Sequence, residues 1–201
     1  MTLHAQSLIA ELDLTLSKVS STKQSAILRC VTDLFLNGAP TFSNEHIAVF
    51  GDVIDRLLDT IDRAALLELS TRLAPIGNAP VKVIGRLSRN DDIAIAAPVL
   101  GTSEVLSDEM LVEIAKIKGQ YYLSAIAGRA HMSEAITDVL IDRGNSDIAR
   151  KVARNLGASL SELGFVKLIK RSDGDGELAA AIASRKDLPH ELRPFLKSVP
   201  A

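Results

Sequence analysis

Four polar side chains in the second half of the chain, Arg129, Arg154, Asn155 and Arg185, have the types and spacing best suited to bind something. Arg129 and Arg185 each stand four residues before a point where a helix restarts, at Ser133 and Pro189, so they occupy equivalent positions. Arg154 and Asn155 fall one turn earlier in the intervening unit. Set along one edge of stacked units, such groups could grip carboxylates or phosphates with two parallel hydrogen bonds. A plainer role competes, because cations near helix C-termini favour the negative end of the dipole and bond the last carbonyls.

Other chemistries find less support. His4, His46, His131 and His190 never pair at a three- or four-residue spacing, so no helical metal-binding pair exists. His131 and His190 lie beside restart points, where solvated or capping roles suit them. No Gly-x-Ser-x-Gly elbow and no phosphate-cradling glycine loop occurs, and no strand is expected on which to mount a nucleophile. The turn Asp173-Gly174-Asp175-Gly176-Glu177 begins like a calcium loop, but an apolar helix starts at Leu178, too early for the twelve-residue ligand set. A turn whose acid caps the next helix is the better reading. Cys30 is the single cysteine, which excludes an internal disulfide and a cysteine-rich zinc site. Its apolar neighbours Ile27, Leu28 and Val31 suggest a buried structural thiol. The expectation is a protein with no cofactor and no metal, and not an enzyme.

The elements that must position these groups are helices. Of 201 residues, 47% are apolar but only 3% aromatic, so the core must be built from Leu, Ile, Val and Ala, which suit close helix packing. Restart points recur at Leu106-Ser107, Met132-Ser133, Leu160-Ser161 and Leu188-Pro189, with spacings of 26, 28 and 28 residues. Ala79-Pro80 lies 27 residues before the first and reads as a degenerate fifth copy. A fixed period of this size marks stacked supersecondary units, since one unit cannot bury its apolar face alone. First helices are expected at Ile93–Leu100, Tyr122–Ala127, Ile148–Arg154 and Leu178–Ser184, and second helices at Glu109–Ile117, Glu134–Ile141, Glu162–Ile169 and Glu191–Leu196. Ser107, Ser133 and Ser161 are good N-caps, Pro189 fits a first helical turn, and a Glu just inside each start complements the dipole.

Before Pro80 the chain reads as four helices without a clear repeat. Leu8, Ile9, Leu12, Leu16 and Val19 form one amphipathic stripe; further segments run from about Thr22 to Leu36, from Ser43 through Leu57, and from Asp62 to Leu73. The expected architecture is all-α: an α-α superhelix, a short solenoid of helical hairpins, in one domain over residues 1–201 with a helical part at 1–79 and repeats at 80–201. Nine to ten helices are expected.

The stretch Asp147-Ile148-Ala149-Arg150-Lys151-Val152-Ala153-Arg154-Asn155, followed by Leu160-Ser161-Glu162 and Leu168-Ile169, resembles the leucine-rich repeat variant and HEAT-like repeat families. With Leu106-Ser107-Asp108, Ala125-Ile126-Ala127-Gly128-Arg129, Ser133, Thr137-Asp138 and Leu140, it looks like a bacterial family of unknown function built on such repeats. The resemblance implies the fold and carries no activity.

Charge bounds the partners. The net charge is −2, and the sign is uneven, −3 over residues 1–79 and +3 over residues 146–201. No bulk basic field draws the chain to nucleic acid or an anionic membrane. The most apolar run, Ile93 to Leu100, is too short to span a bilayer and contains Pro98. A secretory signal is not expected, because Glu11 and Asp13 interrupt the first twenty residues. A cytoplasmic, non-enzymatic scaffold or adaptor binding a protein partner is the leading expectation, with homodimerisation through the N-terminal helices as a further one. The alternative is a nucleic-acid-binding HEAT-like protein related to DNA glycosylases, which needs a basic channel and stacking aromatics.

Overall fold

The computed structural model describes residues 20–196. Among them are eleven α-helices and two 3-10 turns. They include no strand, only an isolated parallel bridge between Met132 and Ala158. The stripe from Leu8 to Val19 lies outside the described residues. The described chain divides into two compact units. One runs from residue 20 to Val99 with Ser103–Val105; the other holds Leu100–Thr102 and Leu106 onward. The division falls near residue 100, whereas the sequence pattern changes at 79–80.

In the first unit, α1 (Ser21–Gly38) packs on α2 (Asn44–Leu57) and on α3 (Arg63–Leu73), and α2 packs on α4 (Val81–Arg89). The buried stripe of α1 is Gln24, Ser25, Leu28, Thr32 and Phe35. Cys30 falls on the opposite side and is exposed, which corrects the expectation of a buried thiol. Its apolar neighbours in sequence misled, because successive helical residues point about 100° apart. Caps set the starts. The Ser43 hydroxyl accepts from the His46 amide, and the Asp62 carboxylate accepts from the Ala65 amide at 2.8 Å. Asp92 likewise opens α5 (Ile93–Thr102), taking the Ala94 amide at 3.0 Å.

In the second unit come α6 (Asp108–Ile117), α7 (Gln120–Ile126), α8 (Glu134–Arg143), α9 (Ser146–Arg154), α10 (Glu162–Arg171), α11 (Gly176–Ala183) and a 3-10 turn (His190–Phe195). Helices two apart in sequence pack together: α6 on α8, α8 on α10, α10 on the 3-10 turn, and α7 on α9, α9 on α11. Ser107, Ser133 and Ser161 thus open helices that lie side by side in one row. Ile114, Leu140 and Leu168 of that row, and Leu123, Val152 and Ile182 of the other, are completely buried. Each such aliphatic side chain contributes about 1.5–3 kcal/mol by leaving water.

The restarts are not chemically equal. Ser107 and Ser161 accept from the amides three residues on, at 3.4 Å and 2.9 Å, and Ser161 also donates to Asp138 at 2.7 Å. Ser133 does not cap: its hydroxyl is buried without a partner among the described residues. The loop there is held by backbone instead, the Met132 amide donating to the Gly157 carbonyl and the Ser159 amide to the Met132 carbonyl at 2.9 Å. Gly157 permits that approach, since a Cβ on it would lie 1.9 Å from the Ala130 carbonyl oxygen. The α-helix expected at Glu191–Leu196 is a 3-10 turn with no buried residue. Pro194 has no amide hydrogen to close an α-turn onto His190.

Candidate functional site

The site expected from Arg129, Arg154, Asn155 and Arg185 separates into a hydrogen-bonded interior and an open groove. Arg129 donates to the Leu100 carbonyl at 2.8 Å, and Asn155 to the Arg129 carbonyl at 2.7 Å. Arg185 donates to the carbonyls of Asn155 at 2.7 Å and Ala158 at 2.6 Å. The three side chains therefore form a staircase, each satisfying a carbonyl 26 to 30 residues earlier in the chain. The accepting carbonyls belong to earlier segments, not to the helix that carries the donor. Arg185 is only 2% exposed; its guanidinium also pairs with Asp187 and lies 5.8 Å from the Phe165 ring centre.

A second staircase, which the sequence reading missed, follows the other row. Arg143 donates to the carbonyls of Ala115 and Lys118, and Arg171 to those of Ile141 and Gly144. The signal was present as a spacing of 28 between two arginines, equal to that between restarts.

Arg154 and Asn155 border the groove, an open cavity of about 440 Å³ along α9. It is lined by Ala127, Gly128, Asp147, Arg150, Lys151, Arg154, Asn155 and Glu177. The local sequence accounts for it. In α9 the apolar residues Ile148, Ala149, Val152 and Ala153 are buried, which leaves Asp147, Arg150, Lys151 and Arg154 on the outer side. Asn145 starts the helix by accepting from the Ile148 amide at 3.1 Å. The hollow exists because its α7 side ends in Ala127 and Gly128; a Cβ on Gly128 would lie 3.2 Å from the Lys151 ammonium.

The groove cations are partly paired. Arg150 Nε reaches both oxygens of Asp175 at 3.1 Å and 3.0 Å, and its Nη1 reaches Asp147 at 3.1 Å. Arg154 Nη2 meets Glu177 at 2.7 Å, and Lys151 donates to the Ser124 carbonyl at 2.6 Å. Asp175 also caps α11 by accepting from the Leu178 amide at 3.0 Å, so the 173–177 turn acts as a cap. The Arg150 bond, helped by that amide, holds the Asp175 carboxyl below the usual carboxylate range. Among the described residues no cluster of three His, Cys, Asp or Glu is placed to hold a metal ion. No described helix is long and apolar enough to cross a membrane.

A family model described as "Uncharacterised protein conserved in bacteria (DUF2336)" matches residues 95–197. The chain belongs to that family. Both staircases and the groove lie inside the stretch that defines DUF2336 membership. No curated protein and no solved structure matches the chain.

Proposed function

We propose that this chain is a non-enzymatic interaction module, a short α-α superhelix of HEAT-like hairpins that offers the groove on α9 to a protein partner in the bacterial cytoplasm. The observation that carries the reading is the regular packing of alternate helices with equivalent side-chain-to-carbonyl bonds about one hairpin apart. Stacks of this kind give extended surfaces whose chemistry is set by exposed residues of successive helices. Here the staircase side chains are committed to backbone, and α9 carries the exposed cations that line the groove. The alternative, nucleic-acid binding, finds no stacking surface in the groove, since no aromatic lines its wall.

A photo-crosslinking residue placed at position 154 in living cells tests the proposal. A discrete heavier adduct, absent when the same residue stands at position 170, is the expected result. No adduct at 154, or equal labelling at both positions, overturns it.

A further inference from the structure

Resting on that reading, we infer that the α9 groove receives an acidic, extended segment of the partner, and that Glu177 and Asp147 hold its place in the free protein. Arg150, Lys151 and Arg154 line one hollow. Their hydrogen-bonding capacity is far from filled. Among the described residues Arg154 makes one bond, through Nη2, and Lys151 makes one, although a guanidinium carries five N–H groups and an ammonium three. The Glu177 and Asp147 side chains that meet the arginines are 66% and 83% exposed. Exposed pairs of this kind are weak and exchange readily with solvent. A chain of carboxylates that enters the groove replaces both at once and reaches the donors they leave unused. Charge-assisted, two-pronged bonds to guanidinium then favour the newcomer. Asp175 differs, because it is 13% exposed and also caps α11, so it stays on Arg150 and orients it. Ala127 and Gly128 line the groove with the smallest side chains, so nothing bulky projects from that side.

Fluorescence anisotropy on the full chain at low ionic strength, with a fluorescein-labelled hexaglutamate peptide, tests this inference. A hexaglutamine peptide serves as control, and a short DNA duplex as competitor. Hexaglutamate binds and hexaglutamine does not. Arg154→Glu weakens binding about tenfold or more, while Lys170→Glu, an equal charge change on α10 outside the groove, alters it less than about twofold. Glu177→Gln tightens binding about threefold or more, a gain that damaged folding cannot produce. Equal losses for Arg154→Glu and Lys170→Glu, no gain for Glu177→Gln, or displacement of the peptide by DNA at lower concentration each overturns it. If crosslinking at position 154 captures a protein while hexaglutamate ignores Arg154→Glu, this inference falls and the wider proposal stands. If hexaglutamate behaves as expected and no protein is captured, the wider proposal falls.

Discussion

Arg185 shows how much a single side chain can hold. Its guanidinium is buried, donates to the carbonyls of Ala153, Asn155 and Ala158, and is neutralised by a half-exposed Asp187. Replacing it with Met keeps most of the volume but leaves those carbonyls without donors. The expected loss is about 2–4 kcal/mol, measured as a lower urea midpoint with unchanged helix content. Lys restores little, since an ammonium cannot span two carbonyls and a carboxylate in the way a planar fork does. Arg129, Arg154, Asn155 and Arg185 were readable as a set because of their positions before the restarts. What the pattern could not give was direction. An arginine near a helix end looks the same in sequence whether it faces solvent or the carbonyls of an earlier loop. Arg150 and Lys151 escaped notice for the opposite reason, since they sit within α9 and not next to a restart.

At the scale of the element, capping explains both the agreements and the failures. Ser107→Ala and Ser161→Ala each lose an amide-to-hydroxyl bond and should lower stability by about 1 kcal/mol. Ser133→Ala should be neutral or stabilising, because that hydroxyl is buried and unbonded. Thermal melts of the three variants check the contrast. The sequence rule that Ser caps a helix was right wherever the serine was free to turn inward. At Ser133 the loop is tied by a backbone bridge to residues 157–159, a contact from a later hairpin that no local pattern encodes. Acid sensitivity is an element property too. Asp62, Asp92 and Asp175 are N-caps, and all three carboxyls are held below their usual range, Asp62 mainly by the Ala65 amide, Asp92 by Arg63 and Asp175 by Arg150. A carboxyl whose pKa is lower folded than unfolded adds stability above the unfolded value, about 3.9. That stability disappears as pH falls through the folded value. The urea midpoint should therefore stay level from pH 7 to 5 and drop below about pH 4, with a shallower drop in Asp175→Asn.

Across the whole molecule, exposed ion pairs connect helices two apart: Arg29 with Glu68 and Lys82 with Asp55 in the first unit, Arg154 with Glu177 and Lys167 with Asp142 in the second. At 1 M salt the screening length shrinks to about 3 Å, so these pairs contribute little. Raising NaCl from 0.05 to 1 M should lower the melting temperature by about 2–4 °C, whereas a core held by aliphatic burial alone would not respond in that direction. The all-helical class was legible from aliphatic composition and spaced breaks, and the family assignment from motifs after residue 91. The groove was not, because it arises where the two small residues that follow α7 lie beside the basic face of α9, about twenty residues later in the chain. The polar staircases also have an arrow. Arg129 bonds back to Leu100, Asn155 to Arg129, Arg185 to Asn155, and Arg171 to Gly144. During synthesis on the ribosome the acceptor in each case emerges first and waits, hydrated, for a donor roughly thirty codons behind or closer. Within the staircases no donor is thus made before its oxygen, and trimming from opposite termini leaves opposite kinds of vacancy: bare carbonyls at one, stranded donors at the other.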